Sequence, residues 1–452
     1  MSGAPPTCVL ALDLGTTAFK AGAVGPSGLL APPAVVRYRL DSVDGAVTCD
    51  AGAYRRAAFR ALAGAARAAH ERGVRVAAVG VSSQAQTFVV VGPDGRPAGP
   101  AIVWTDARAA KEAAEAAGAL PDFAVRAGWT RPSAQQLLPK AMALARSGRL
   151  PPRPRKLLLL NEYILLLLTG RAFGDQTNQG MGGLFDIRRR AWWPEALRLA
   201  GLEPQDLAEV APAAAISAPL SGPVARRLGL AGVPACSCGN DQSAAAAGAD
   251  LASGAALCNL GTAMVVFSPR GHLPVPSSDG QAAGIHALTD RGFLLGFESE
   301  CGNVMEWLLG LLYPRLSTDA AMALALAGEA DPRHMPRVAA LGGGRIDLRG
   351  LTVGCSARDV VRGAAAHYAA RLDGLLEGVA GAGFRGTPHV AAGGLSRGQP
   401  LLDLVEREHG IRLVRAATEH LGLIGIARIL ARAGLAPAPH PEETAWSTAS
   451  ST

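Results

Sequence analysis

The sequence predicts an α/β protein, and three features point to this class. Short apolar runs typical of strands alternate with stretches of helical periodicity. The chain has 452 residues, of which 49% are hydrophobic and 18% charged, enough to build large buried cores. A strand-turn-strand pattern near the start also recurs in the second half of the chain. Two domains built on one plan would produce that recurrence.

The first quarter of the chain contains the clearest elements. Apolar runs bounded by turn residues predict strands, and apolar positions three and four apart predict helices. A Gly-Pro-Asp-Gly turn between two of the strands indicates a hairpin. In chain order, the predicted elements are strands at 7–13 and 18–24, a helix at 50–72, strands at 74–82, 87–91 and 101–104, and a helix at 106–117.

Later segments continue the alternation. The most apolar run, residues 157–168, predicts a buried core helix, because a membrane span needs about 20 apolar residues. Residues 232–237 predict a strand that leads into an Ala-rich helix at 244–249. The Pro-rich stretch 219–234 is a candidate linker, so the expected domains are residues 1–232 and 233–452.

The recurring pattern consists of a Leu-Gly-Thr turn between two apolar strands. It occurs in segment 11–17 and again in segment 257–263, roughly half the chain apart. A duplicated domain explains both copies, and a chance recurrence of so short a motif is the alternative.

Composition excludes several classes of protein. The net charge is +7 and the pI about 9.3, but the arginines are scattered and not interleaved with aromatics, so no nucleic-acid partner is expected. The seven cysteines lack the spacing of a zinc or redox motif and predict buried thiols in a reducing compartment. The first residues lack the form of a signal peptide. We therefore expect a cytoplasmic protein without a membrane partner.

The first turn, Asp-Leu-Gly-Thr-Thr at 13–17, is a candidate phosphate site. Gly15 allows a tight turn whose backbone N–H groups approach an anion, and Thr16 and Thr17 add hydroxyls. Asp13 could hold Mg²⁺, which commonly binds carboxylates through water. An ordinary β-turn with a polar tip is the alternative interpretation. The chain has no P-loop motif.

Two further segments combine a strand end with polar or glycine residues. Asp241 precedes the Ala-rich helix and could accept the proton of an alcohol that attacks a phosphoryl group, with Gln242 binding a second hydroxyl. A helix cap is the alternative for Asp241. Gly393 and Gly394 follow a strand and allow a flat adenine or ribose to approach the backbone, although a plain turn would also use them.

Together and in this order, these segments resemble the FGGY family of carbohydrate kinases. The stretch 80–84 followed by 101–108 looks like the family's substrate-side strand and W-x-D-x-R segment. The stretch 174–187 looks like its T-D-x-S-N…L-F-D-I motif. The resemblance extends along most of the chain and is nearest to the xylulokinase and sedoheptulokinase branches.

The resemblance implies two actin-like (RNase H-like) domains with the active site in the cleft between them, and ATP with Mg²⁺ as cofactors. It implies transfer of the γ-phosphate to a hydroxyl of a ketose (pentulose or heptulose) or a related polyol or cyclitol. A non-catalytic nucleotide- or sugar-binding regulator on the same fold is the alternative, and a homodimer is one possible assembly. The implied site residues are Asp241 as catalytic base; Gln84, Gln86, Trp104, Asp106 and Gln242 for the acceptor; Gly15, Thr16, Thr17, Gly261, Thr262, Gly393, Gly394 and Leu395 for ATP; and Asp13 for the metal.

Departures from the family pattern bear on the acceptor. Where glycerol kinases carry Arg-Glu after the substrate-strand glutamine, and xylulokinases Met-His, this chain has Ala85-Gln86. The first difference argues against glycerol, and the second weakens a plain xylulokinase assignment. The short segment 341–347, together with 302–304, resembles the sedoheptulokinase branch.

Overall fold

The computed structural model describes residues 6–298, 301–328, 333–342, 345–381 and 383–439. The chain divides into two compact units. Unit 1 is Met1–Asp250, Arg270–Phe293 and His420–Thr444, and unit 2 is Leu251–Pro269, Leu294–Glu419 and Ala445–Thr452. This division differs from the boundary predicted near residue 232, because the strand that follows the Pro-rich stretch is part of the main sheet of unit 1.

The secondary structure alternates throughout. The strands are β1 (Thr7–Leu14), β2 (Ala18–Gly25), β3 (Gly28–Leu29), β4 (Ala34–Arg37), β5 (Asp41–Val43), β6 (Ala46–Cys49), β7 (Arg75–Ser83), β8 (Phe88–Val91), β9 (Ala101–Ile102), β10 (Lys156–Leu159), β11 (Phe173–Asp175), β12 (Phe185–Asp186), β13 (Ala191–Trp192), β14 (Glu209–Ala211), β15 (Ser217–Pro219), β16 (Pro234–Asn240), β17 (Leu257–Leu260), β18 (Met264–Arg270), β19 (Gln281–Ile285), β20 (Gly292–Glu298), β21 (Arg337–Gly342), β22 (Arg345–Arg349), β23 (His389–Ala392) and β24 (Leu413–Arg415). The helices are α1 (Ala51–Glu71), α2 (Ala110–Ala119), α3 (Phe123–Ala127), α4 (Leu137–Arg146), α5 (Leu160–Thr169), α6 (Gln176–Gln179), α7 (Pro194–Leu199), α8 (Gly222–Arg227), α9 (Asp241–Ala249), α10 (Cys301–Leu312), α11 (Thr318–Leu326), α12 (Ala357–Ala380), α13 (Gln399–His409) and α14 (Leu421–Arg432), with short 3₁₀ turns at Pro204–Asp206, Phe384–Gly386 and Gly394–Arg397.

The main sheet of unit 1 has the strand order β15-β16-β7-β1-β2-β3. β1 and β2 form an antiparallel hairpin, whereas β1, β7 and β16 run parallel. The register pairs Leu14 with Ser83 and Ser83 with Asn240, so the three parallel strands end at the same edge. Polar residues that follow these strands are therefore brought together.

Helices cover this sheet through small residues. The carboxylate of Asp50 caps α1 by accepting the backbone N–H of Gly52, and α1 buries a face made largely of alanines. The helices α9 and α14 pack so closely that a Cβ atom on Gly425 would lie 1.7 Å from the carbonyl oxygen of Ala244. The glycines and alanines of the sequence are thus used for close helix packing.

Two element predictions differ from the structure. The run 157–168 is not one helix: its first residues form β10, which pairs with β8, and α5 starts at Leu160. The helix predicted from residue 106 begins at Ala110, because the Asp106 carboxylate is bound by the backbone N–H of Val47 and by Arg108. The other elements lie within a few residues of their predicted positions.

Unit 2 repeats the plan of the main sheet of unit 1. β17 and β18 form an antiparallel hairpin around the second Gly-Thr turn. β17 runs parallel to β23, and β23 runs parallel to β24. The two Gly-Thr turns hold equivalent topological positions, which supports the duplicated plan that the sequence suggested.

Two further findings concern the helices and the cysteines. Within the described ranges, no helix is long and apolar enough to cross a membrane. Five cysteines are buried free thiols and Cys355 is half-buried. The side chain of Cys301 lies outside the described residues.

Candidate active site

The edge where β1, β7 and β16 end gathers the first group of predicted residues. Gly15, Gln84 and Asp241 each directly follow one of these strands, and the register places them side by side. Carboxyl ends of neighbouring parallel strands are a common place for ligand sites. The sequence predicted these three residues separately, and the sheet brings them together.

The first Gly-Thr turn is held in place by two aromatic side chains. The Tyr38 hydroxyl lies against the carbonyl oxygens of Gly15 and Thr16, 2.6 Å from the latter. The Trp104 indole N–H donates to Thr16 Oγ1 at 3.0 Å. Thr17 is exposed at the tip. The carbonyl oxygens of Gly15 and Thr16 and the Thr16 hydroxyl are therefore engaged by protein side chains. This leaves the backbone N–H groups of the turn as donors for an anion.

Asp13 lies on β1 just before this turn. Its carboxylate accepts the Ser82 hydroxyl at 3.1 Å, and Lys20 is its cross-strand partner on β2. Burial raises the pKa of Asp13, against the opposing charge of Lys20 and the hydrogen bond from Ser82. Lys20 was not singled out from the sequence, although a lone cation in an otherwise apolar strand is a signal for it.

Asp241 is the first residue of α9. Asn240 caps the helix by accepting the Ser243 N–H at 2.8 Å, so the capping role considered for Asp241 belongs to its neighbour. One Asp241 oxygen accepts the backbone N–H of Gln242 at 2.9 Å. Burial, and next the charge of Asp13, raise the pKa of Asp241 to about 7. A carboxyl group with this pKa is suited to general-base chemistry near neutral pH.

A β-bulge in β16 lies directly before Asp241. The register between β16 and β7 shifts between Ser237 and Asn240, so one extra residue is accommodated there. Gly239 has φ +82°, and a Cβ at this position would lie 2.8 Å from the Ala287 Cβ. The bulge therefore requires glycine.

A buried carboxylate supports the bulge from the T-D-x-S-N-like stretch. Asp175 accepts the backbone N–H groups of Gly239 and Asn178, each at 2.9 Å, and the Ser237 hydroxyl. Asn161 extends the network by donating to Ser237 Oγ at 2.7 Å. The sequence resemblance marked the stretch, and the structure shows that it holds the segment before Asp241.

Three glutamines predicted to bind the acceptor have unsatisfied amide atoms. Both amide atoms of Gln84 and the Oε1 atoms of Gln86 and Gln242 are buried without a hydrogen-bond partner among the described residues. Buried polar atoms are nearly always paired, so such atoms suggest a missing ligand. Gln86 also has φ +66°, a strained conformation for a non-glycine residue that is found most often at functional sites.

The W-x-D-x-R-like segment divides into two roles. The indole N–H of Trp104 donates to the first Gly-Thr turn, as described above. Asp106 is 2% exposed, and its oxygens are engaged by Arg108 and the Val47 N–H. Although burial opposes it, these hydrogen bonds hold the pKa of Asp106 below its usual range. In this structure Asp106 shapes the segment and its acceptors are already occupied.

The second group of predicted ATP residues lies in unit 2. The start of α10 packs on the Gly261-Thr262 turn, where the Gly302 N–H donates to the Thr262 carbonyl at 3.1 Å. A Cβ on Gly302 would lie 1.7 Å from the Gly261 carbonyl oxygen. Gly393 has φ +93°, and its Cβ would lie 2.6 Å from the carbonyl carbon of Leu260 in the same hairpin.

The glycine pair therefore lies beside the second Gly-Thr turn. Leu395 is buried in the 3₁₀ turn that follows, and a Cβ on Gly394 would lie 3.2 Å from a carboxylate oxygen of Glu306 on α10. The sequence interpretation did not assign Glu306 a role. The short segment 341–347 belongs to the antiparallel pair β21 and β22, and its residues 343 and 344 lie outside the described residues.

The donor set fits Mg²⁺ bound with a nucleotide. The charge of Asp13 disfavours ionisation of Asp241, and a divalent cation would relieve this repulsion. No cluster of three or more metal-ligating side chains occurs within the described ranges. Mg²⁺ commonly uses one or two carboxylates together with water and phosphate oxygens, so a complete protein cage is not required.

Comparisons with known proteins show the family of this chain. A model of the FGGY family of carbohydrate kinases, N-terminal domain, matches residues 8–248. The xylulose kinase of Escherichia coli (strain K12) is 26% identical over 264 residues, which cover 58% of this chain and 54% of that protein. The glycerol kinase of Gloeobacter violaceus is 27% identical over 368 residues, covering 76% of this chain and 71% of that protein. The chain thus spans little more than half the length of the first of these relatives.

Solved structures match over almost the whole chain. The xylulose kinase from Rhodospirillum rubrum has a TM-score of 0.82 at 19% identity, covering 97% of this chain and 95% of that one. The Plasmodium falciparum glycerol kinase with ADP has a TM-score of 0.81 at 15% identity, covering 96% and 91%. These likenesses confirm the predicted two-domain actin-like α/β fold.

Proposed function

Because the chain belongs to the FGGY family of carbohydrate kinases, we propose that it transfers the γ-phosphate of ATP to a hydroxyl of a ketose (pentulose or heptulose) or of a related polyol or cyclitol. The observation that carries this proposal is Asp241. It is a half-buried carboxyl group with a pKa of about 7, at the sheet edge that also holds the first Gly-Thr turn. A phosphate-binding turn beside a tuned base is what phosphoryl transfer to an alcohol needs.

Asp241 acts as the general base. Above a pH of about 7 its carboxylate is ionised and accepts the proton of the attacking hydroxyl. The bulge at Gly239 and the Asp175 network fix the backbone before it, so the carboxylate is held in place before substrate binds. Alcohols do not ionise at neutral pH, and a fixed base therefore raises their reactivity towards the phosphoryl group.

The glycine-containing turns hold the nucleotide. The N–H groups and hydroxyls of Gly15, Thr16 and Thr17 bind phosphate oxygens in unit 1, and Gly261 and Thr262 do so in unit 2. Gly393, Gly394 and Leu395 line the adenosine pocket. Asp13 would hold Mg²⁺, and the ion would supply neutralisation of the charge on the transferred group.

The unpaired amides bind the acceptor. Each hydroxyl donates one hydrogen bond and accepts others, so the several hydroxyls of a polyhydroxy acceptor can pair with the amide nitrogen and oxygen of Gln84 and with the oxygens of Gln86 and Gln242. Trp104 supplies an apolar wall for the carbon skeleton. Glycerol kinases and xylulokinases carry a charged or histidine residue where this chain has Gln86, and the amide favours an uncharged polyhydroxy acceptor.

The test is release of ADP from Mg-ATP across a panel of pentuloses, heptuloses, polyols and cyclitols. We expect at least one acceptor to stimulate release strongly, and Asp241→Asn to abolish that stimulation while ATP still binds. Calorimetric binding of a sugar without ADP release from any acceptor would instead support the non-catalytic regulator. A fully active Asp241→Asn enzyme would exclude Asp241 as the base.

A further inference from the structure

Lys140 is a buried lysine for which the site described above provides no role. It lies on α4 with 3% of its surface exposed. Its ammonium group donates to the carbonyl oxygens of Val103 at 2.8 Å and Trp104 at 3.0 Å. Lysine is almost never fully buried unless its charged group is paired. A lysine buried on two backbone carbonyls therefore needs an explanation.

The two carbonyls belong to the turn that carries Trp104. The Asp106 N–H donates to the Val103 carbonyl at 3.0 Å and closes this turn. The Trp104 N–H donates to Thr87 Oγ1 at 3.0 Å. Lys140 donates to the Trp104 carbonyl, so both the backbone N–H and the backbone C=O of Trp104 are hydrogen-bonded.

The side chain of Trp104 contacts the first Gly-Thr turn. Its indole N–H donates to Thr16 Oγ1 at 3.0 Å, across 88 positions of the sequence. Lys140, Trp104 and Thr16 thus form one continuous chain of hydrogen-bonded groups within unit 1. The chain joins the acceptor-side segment to the turn that the proposed function assigns to ATP.

We propose that Lys140 is a positioning residue that fixes Trp104 and, through it, Thr16, so that the acceptor segment and the phosphate turn keep one relative geometry. The inference rests on the proposed kinase function. Lys140 acts only through the turn and contacts neither substrate. A misplacement of about 1 Å at reacting groups can cost roughly 100-fold in rate, which sets the scale of the expected effect.

The positioning does not depend on the charge of Lys140. Burial lowers the pKa of this lysine to about 7, with Asp106 favouring the charged form and Arg108 opposing it. A neutral amine still has two N–H groups, one for each carbonyl. Replacing Lys140 should therefore change the rate without moving the pH at which Asp241 titrates.

Lys156 provides a matched control. It lies on β10, and its ammonium also donates to two backbone carbonyls, those of Gln205 and Leu207, each at 2.8 Å. These carbonyls lie away from the candidate site. We expect Lys140→Met to lower kcat/KM for the acceptor by about 10- to 100-fold, and Lys156→Met to leave it within about twofold. Equal kinetic constants for Lys140→Met and wild type would overturn the proposal.

A double-mutant cycle tests whether Lys140 acts through Trp104. If it does, the loss in Lys140→Met/Trp104→Phe will be close to the larger of the two single losses, because the second change removes nothing further. Independent losses that multiply would contradict the proposed route. Lys156→Met combined with Trp104→Phe should show no such coupling.

Hydrogen exchange of backbone amides separates this proposal from the kinase assignment. Lys140→Met should speed exchange in residues 101–108 and 14–18, whereas Lys156→Met should not. This readout needs no activity, so an inactive wild-type protein would count against the proposed function alone. Unchanged exchange would count against positioning. If Lys140→Met does not fold, Lys140→Leu, which also removes the N–H donors, serves in both assays.

Discussion

Asp241→Asn should make the protein more stable at alkaline pH while it destroys activity. The structure raises the pKa of Asp241 from 3.8 to about 7. Between these pH values the folded protein keeps a proton that the unfolded chain releases. The free energy of unfolding therefore falls as pH rises through this window. An uncharged amide avoids that loss.

The size of the effect follows from the shift. Three pKa units correspond to roughly 4 kcal/mol at about 1.4 kcal/mol per unit. The favourable interaction of the Asp241 charge with the start of α9 is already part of this net shift. We thus expect a gain of about 4 kcal/mol above pH 7.5. A pH of 5 is only about one unit above the usual aspartate pKa of 3.8. The stabilisation by Asp241→Asn should therefore be roughly a third of its value above pH 7.5.

Urea unfolding at pH 5 and pH 8.5 measures this difference. Asp122→Asn is the matched control, because Asp122 is exposed and its carboxylate makes no capping hydrogen bond to α3. It should leave the pH dependence of stability unchanged. In the same preparation, Asp241→Asn should lower kcat by roughly 100- to 10,000-fold, as expected for loss of a general base. A variant no more stable than wild type at pH 8.5, or equally stabilised at both pH values, would refute the reasoning.

Three further substitutions test other parts of the site. Gly393→Ala forces a positive φ on alanine and places its Cβ 2.6 Å from a backbone carbon, so we expect a loss of about 1–3 kcal/mol in stability and weaker ATP binding by calorimetry. Gly374→Ala on α12, with nothing within 4 Å, should instead raise the unfolding midpoint. Gln84→Leu should raise KM for the acceptor with little loss of stability. By contrast, Gln179→Leu should cost about 1–3 kcal/mol because it removes the donor to one oxygen of the buried Glu162 carboxyl, whose other oxygen still accepts the Leu159 N–H. Asp175→Asn should lower both stability and kcat, since three donors lose a charged acceptor; unchanged kcat would show that the bulge needs no such support.

The local parts of the fold and site could be predicted from sequence because they depend on neighbouring residues. A Gly-Thr turn between two apolar runs specifies a hairpin, and Asp50 followed by a helical pattern specifies a capped helix. The run 157–168 could not be divided correctly, because periodicity does not distinguish a buried strand from a buried helix. The boundary near residue 232 failed for another reason. The chain enters and leaves unit 1 several times, and only contacts distant in sequence reveal this.

The roles of the supporting residues could not be predicted for the same reason. Tyr38, Lys140 and Asp175 act on groups 22 to 64 positions away, so no local pattern marks their partners. The residues that we propose to bind ligands could be singled out from sequence because phosphate and proton chemistry restricts the residue types that can perform it. Many types of side chain can form hydrogen bonds to a turn, so the supporting residues have no characteristic sequence pattern. Sequence therefore shows the groups that react, and structure shows what fixes them.

The two carboxylates of the site explain why so much of unit 1 supports it. Asp13 and Asp241 are half-buried near each other, and loss of solvent around them raises the pKa of both. Left free, this edge of the sheet would relax by separating the charges or admitting water. The Gly239 bulge, held by Asp175, and the first Gly-Thr turn, held by Tyr38 and Trp104, prevent that relaxation. The charge of Asp13 therefore stays close to Asp241, and we expect a bound divalent cation to relieve this repulsion.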